Sequence, residues 1–289
     1  MDTVVLCCKS YRNDLKRLVR LAVSIERFNV DRLPFYVIVP TSDRAMFAEA
    51  LGSLPHILIE DPDILSLNPA AEKIRSMKLD GGIMQQVVKS QFWRLGVAEN
   101  EVVIDSDSYF IRGFKQSDFM ADATTPFTVM HEGKDLLQWA ARSGQNKISG
   151  YFEKDRRMTM DQFGRTGRVY DFGPTPCIWS SSVWKQLDEE YAHPRGKNFA
   201  DLIVECPNEM IWYGEALLHF KTFPVFPREP LFKVFHYKEQ FEEAIGMGES
   251  EAVWAKNFMG MVMQSAWEYD LDVICRKQRS WKTLWLFKI

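Results

Sequence analysis

The sequence is poor in cysteine and holds no long apolar run. Five cysteines among 289 residues, an odd number with no C-x-x-C pair, give neither a disulfide framework nor a cysteine zinc site. Cys7 and Cys8 fall inside an apolar run and read as buried thiols. No stretch approaches the ~18 apolar residues of a membrane-spanning helix. Asp2 stands where a secretory signal needs base, and the apolar run after it is short, so a cytoplasmic protein is expected. A basic field is lacking too: 36 Lys+Arg stand against 39 Asp+Glu, which argues against nucleic acid as a partner. The dinucleotide fingerprint G-x-G-x-x-G, the P-loop and the nucleophile elbow G-x-S-x-G are all missing. What remains, 46% hydrophobic and 26% charged, is ordinary globular composition, long enough for a sizeable core.

Strand and helix signals alternate through the first hundred residues. Residues 3–8, 35–39, 56–60 and 101–104 are short β-rich runs. Between them, Leu15, Leu18, Ala22 and Ile25 recur at helical spacing after Asn13-Asp14. Ser42-Asp43 offers a cap for a helix to about Leu51, and an amphipathic stretch runs over 83–95. Such alternation predicts an α/β fold with a mixed, mostly parallel sheet flanked by helices. Ligands of these sheets gather at the carboxyl ends of the strands. Residues 125–130 and 177–179 read as further strands, and 181–191 and 208–220 as helices. Residues 143–170 carry Lys154, Arg156, Arg157, Arg165 and Arg168 with weak periodicity, and read as a polar loop or a lid.

Asp105-Ser106-Asp107 follows the fourth β-rich run directly. Alternation lets the two carboxylates point the same way, as a hard divalent cation requires. The same residues also suit a plain turn. Gln85 and Lys89 lie four apart on the preceding helical stretch, from which Lys89 can reach a phosphate or a base. Glu209 sits near the start of a capped helix, as a carboxylate placed either for the helix dipole or for proton transfer. His236 is flanked by aromatics and fits either a core or a metal ligand.

Gln85-Gln86-Val87-Val88-Lys89, then Val102-Val103-Ile104-Asp105-Ser106-Asp107 and Phe110-Ile111-Arg112, resembles glycosyltransferases of the GT-A fold. The pattern is especially similar to a bacterial group encoded with polysaccharide-synthesis genes, in which a Q-Q-hydrophobic-hydrophobic-K helix precedes a D-[SA]-D strand end. Lys9-Ser10-Tyr11 and Asp14 match that group's first strand end, and residues 208–217 match its S-E-Y-x-x-Y-G-x-Y-L segment loosely. The resemblance implies a Rossmann-like domain of two lobes. Residues 1–115 would bind the donor, 116–275 would bind the acceptor, and 276–289 would form a tail. It also implies transfer of a sugar from a nucleotide-diphosphate donor to a hydroxyl of a surface polysaccharide or lipid-linked glycan. In that scheme Lys9, Ser10, Tyr11, Asp14, Gln85, Lys89, Asp105 and Ser106 would hold the donor. Asp105, Asp107 and His236 would hold Mn²⁺ or Mg²⁺. His131 and Glu132 would meet the acceptor, and Glu209 would be the general base. A nucleotidyl- or phospho-sugar transferase and a catalytically silent glycan-assembly partner are the other readings of such a fold.

The near-neutral total hides one asymmetry. Residues 276–289 hold five basic residues and no acid, with Trp281, Leu284, Trp285 and Lys288 at helical spacing. This is the pattern of an interfacial helix, and it implies peripheral contact with the inner face of the cytoplasmic membrane.

Overall fold

A computed structural model describes residues 2–273; Cys275 and the basic segment 276–289 lie outside the described residues. In the first hundred residues the strands are β1 (Asp2–Lys9), β2 (Phe35–Val39), β3 (Ile57–Glu60) and β4 (Ala98–Val103). The helices among them are α1 (Leu15–Phe28), α2 (Arg44–Leu51), α3 (Asp61–Leu65), α4 (Ala71–Ser76) and α5 (Gly81–Lys89). These follow the expected alternation closely. Helix α1 buries Leu18, Leu21, Ala22 and Ile25 and turns Val23, Glu26 and Arg27 outward. The amphipathic stretch expected over 83–95 is broken. Asp80 caps α5, Ser90 Oγ bonds back to the Val87 carbonyl, and a 3₁₀ turn, Phe92–Leu95, follows.

The later elements are β5 (Ser108–Phe110), β6 (Thr128–Val129), α6 (Lys134–Arg142), α7 (Lys147–Gln162), β7 (Cys177–Ser180) and α8 (Ser181–Gln186). After them come α9 (Phe199–Glu205), α10 (Glu209–Phe220), β8 (Pro227–Arg228), β9 (Phe232–Phe235), α11 (Lys238–Gly246), α12 (Glu251–Trp254) and β10 (Gly260–Met263). The strand expected over 125–130 shortens to β6. The helix expected over 181–191 turns π-helical at Leu187–Ala192. The stretch read as a polar loop is mostly α7. Its buried contacts come only from Ile148, Phe152, Thr159 and Met160, too sparse a stripe to stand out in the sequence. Phe152 lies against Gly133, where a Cβ would meet its ring at 2.4 Å and φ is +66°.

The main sheet has the order β3-β2-β1-β4-β7, with β1 parallel to β2 and β4, β2 parallel to β3, and β7 antiparallel to β4. A second sheet, β5-β10-β9, and a pair, β6-β8, complete the mixed α/β arrangement. Pairing crosses residue 115 in both directions. β7 completes the sheet of the first hundred residues, and β5 joins β10 from the far end of the chain. Alternation along β1 sends Val5 and Cys7 to one apolar cluster with Val103 and Trp179, and Val4, Leu6 and Cys8 to another. Each such side chain adds about 1.5–3 kcal/mol by burial. No helix among the described residues is long and apolar enough to cross a membrane.

Candidate functional site

The acidic turn leaves β4 at the carboxyl edge of the main sheet, where the parallel strands deliver their loops. Thr175 closes the strand end: its Oγ1 accepts from Asp105 N at 2.9 Å and donates to the Val103 carbonyl at 3.0 Å. Asp105 keeps 35% of its side chain exposed, and Ser106 is buried beside it. The turn then runs into β5, and the chain after β10 returns over it. Ser265 N donates to Asp107 Oδ2 at 3.0 Å, and Met263 N donates to the Asp107 carbonyl at 2.9 Å. Asp107 Oδ1 is enclosed, with no hydrogen-bond partner among the described residues. Burial, with the charge of Asp105 next, pushes the Asp107 carboxyl up to about 7 against the pull of the Ser265 N–H.

Helix α5 supplies the cation. Lys89, in its last turn, is 3% exposed, and its Nζ lies 3.1 Å from Asp105 Oδ1 and 2.5 Å from Glu209 Oε1. Burial disfavours the charged form of this amine. The charges of Asp105 and Glu209 outweigh it and hold Lys89 well above the ordinary lysine range. Glu209 is the first residue of α10, whose cap is Asn208, accepting from Ile211 N at 3.2 Å. Gln86, one turn before Lys89, accepts from Glu209 N through Oε1 at 3.2 Å. Gln85, the residue expected to face the donor, is exposed. The helix phase gives the contact to its neighbour.

The loop after β1 makes a second charged group. Lys9 pairs with Asp61 of α3 at 3.1 Å and donates to the Ser10 carbonyl at 2.8 Å. Ser10 Oγ is buried without a hydrogen-bond partner among the described residues, and the Tyr11 side chain is 37% exposed. Asp14 precedes α1 but makes no side-chain cap. It pairs at 2.7 Å with Arg17, which is fully buried and also meets Asp272 at 2.7 Å and Glu268. Arg20 pairs with Glu268 at 2.6 Å. The stretch 264–273 is thereby clipped to α1 and to the acidic turn.

His131, Glu132 and His236 lie apart from these carboxylates. His131 Nδ1 accepts from Gly133 N at 3.0 Å and Nε2 donates to the Gly173 carbonyl at 2.5 Å, so both ring nitrogens brace backbone. Glu132 pairs with Arg168 and lies 3.6 Å from Lys134. His236 sits among Asp171, Arg156 and His131, and burial, with Arg156 and His131, lowers its pKa to about 4 against the pull of Asp171. Among the described residues no three His, Cys, Asp or Glu side chains converge as a metal-ligand set, and the charged neighbours of His236 are Asp171, Arg156 and His131. The two aspartates fit a hard cation in part: Asp107 Oδ1 is enclosed and unpartnered, whereas one oxygen of Asp105 is taken by Lys89.

The arginines expected in a lid are internally paired as well. Arg156 holds Asp171 at 2.6 Å, Arg157 holds Glu153 at 2.7 Å, and Arg165 forks onto buried Glu215 with two contacts of 2.6 Å. Burial raises the Asp171 carboxyl, but Arg156 and His131 outweigh it and hold it below the usual range. A surface depression of about 590 Å³, lined by Asp31, Gln116, Ser117, Met120, Ala121 and Asp122, contains none of the expected site residues. Asp61, Thr175 and Ser265 were not legible as site residues, because each reaches the site from an element remote in sequence. Asp61-Pro62 directly after β3 was the one readable signal, as a strand end at the same sheet edge. A family model described as "Family of unknown function (DUF6492)" matches residues 3–275. No curated protein matches the chain.

Proposed function

The chain belongs to the DUF6492 family of unknown function, and from the site itself we propose a metal-dependent glycosyltransferase of the GT-A type. It would move a sugar from a nucleotide-diphosphate sugar to a hydroxyl of a bacterial surface polysaccharide or lipid-linked glycan, in the cytoplasm. Segment 276–289 would contact the membrane peripherally. The observation that carries this reading is the meeting of Asp105, Asp107, Lys89 and Glu209 at the carboxyl edge of the parallel strands.

Each residue has a task in that reaction. Tyr11 offers an exposed ring for stacking on a base, and buried Ser10 Oγ retains an unused hydrogen bond for the nucleoside. With the donor in place, Asp107 and the exposed part of Asp105 would together hold Mn²⁺ or Mg²⁺, which when bound neutralises charge on the departing diphosphate. The acceptor oxygen attacks the anomeric carbon, the bond from that carbon to the phosphate oxygen breaks, and its electron pair leaves with the nucleoside diphosphate. Glu209 takes the acceptor proton. The ammonium of Lys89, 2.5 Å from Glu209 Oε1, holds that carboxylate in place between transfers. His131 is a positioning residue, because it holds the Gly173 carbonyl two residues from Thr175 and so supports the acidic turn.

A thermal-shift screen with UDP-, GDP- and dTDP-sugars, with and without Mn²⁺, tests the reading when followed by identification of the released nucleotide. Stabilisation by one donor with Mn²⁺, and release of nucleoside diphosphate, is expected. Release of pyrophosphate or nucleoside monophosphate would instead indicate nucleotidyl- or phospho-sugar transfer. Stabilisation by no nucleotide would sink the transferase.

A further inference from the structure

Lys89 puts a full positive charge where the acidic turn meets α10. Lys89 ends α5 with its side chain 3% exposed, so the ammonium has little room to leave. Its nitrogen contacts oxygens of both Asp105 and Glu209, and both partners are needed to offset the cost of burying it. A divalent metal asks for the same surroundings, with anionic oxygens drawn in to about 2.1 Å. The ammonium occupies the space between one oxygen of each carboxylate and repels a second cation at that point. Asp107 differs: its Oδ1 is enclosed and has no hydrogen-bond partner among the described residues.

We propose that the Lys89 ammonium is the resident cation of this site, filling the place between Asp105 and Glu209 that a divalent metal would take. In the nucleotide-free protein, metal is then left to Asp107, and tight metal binding waits for the negative charge that a donor diphosphate brings. The proposal rests on reading the acidic turn as a metal–diphosphate site, but it concerns the chain without donor.

Mn²⁺ titration of the full chain without nucleotide, followed by the EPR signal of free Mn²⁺, tests it. Asp105→Asn should change Mn²⁺ affinity by less than about twofold, whereas Asp107→Asn should lower it about 10-fold or more. Lys89→Met should raise it about 10- to 100-fold, and adding Asp105→Asn to that variant should remove the gain. A drop of about 10-fold in Asp105→Asn alone, or no gain in folded Lys89→Met, overturns the proposal. Should Lys89→Met not fold with or without Mn²⁺, the Asp105→Asn comparison decides by itself. Because no donor is present, these outcomes are independent of the nucleotide-sugar screen, and either idea can fail while the other stands.

Discussion

Strand β4 buries acid at two places under opposite conditions. In its middle, Glu101 lies between Val5 of β1 and Trp179 of β7, and neither carboxylate oxygen has a hydrogen-bond partner among the described residues. Past its end, Asp105 shares the Lys89 ammonium with Glu209. Burial drives the Glu101 carboxyl well above the usual carboxylate range, because the charged form loses its solvation there. Asp105 and Glu209 are paired with a cation in the fold. The same strand thus carries a destabilising acid in its core and an ion-paired group at the edge where ligands of such sheets bind. Internal charge in this protein is costly where it is alone and useful where a second element answers it.

The largest expected effect comes from removing that answer. Lys89→Ala, unfolded in urea without divalent metal, should lose about 3–5 kcal/mol, because two carboxylates stay behind without their cation. A loss under 1 kcal/mol would show that the strand end does not depend on the ammonium. Next is a test of chemistry. Glu209→Gln should lower the transfer rate at least ~100-fold, whereas Glu101→Gln should leave it unchanged. Equal rates for Glu209→Gln and the wild type would remove Glu209 as base.

Glu101→Gln sharpens the comparison from the other side, through stability and its pH dependence. The folded chain holds a proton on Glu101 that the unfolded chain releases above its ordinary pKa of about 4.3. Wild-type stability should therefore be full below that pKa and fall by up to about 1.4 kcal/mol per pH unit above it, until the raised folded pKa is reached. The glutamine variant should lose this slope, nearly matching the wild type at pH 4 and exceeding it by up to about 4 kcal/mol at pH 7. Melts from pH 4 to 8 read this directly, and parallel curves would refute it. Smallest is the pair on α5: Gln86→Ala should cost about 0.5–1.5 kcal/mol, and exposed Gln85→Ala less than about 0.5. The reverse order would mean that the contact of Gln86 with Glu209 is not formed.

Much of the fold was legible because its signals are local. The apolar runs at 3–8, 35–39 and 56–60 and the helix stripe at Leu18, Ala22 and Ile25 each lie within one element, and β1 to β4 follow them. Helix α7 was missed because charge fills most of its faces and only four positions reach the core. Gln85 stood in for Gln86 because spacing names a face without fixing its phase against the neighbouring helix. The charge-rich stretch looked available to anions because the partner of Arg165, Glu215, comes from another part of the chain, and Asp171 meets Arg156 only once the chain folds back.

Sequence alone determined the chemistry on offer: two aspartates closing an apolar strand, a lysine ending a helix, and a glutamate beside a capping asparagine. Hydrophobic periodicity and capping act over a few residues, so a linear reading can find them. Only the tertiary structure decided which charges meet. Lys89 answers Asp105 and Glu209, Arg17 answers Asp14 and Asp272, and Glu101 is answered by no side chain among the described residues. Such pairings join elements up to 255 positions apart, as between Arg17 and Asp272. Their strength depends on burial and on separations of about 3 Å, and neither is set until the sheet brings its edges together.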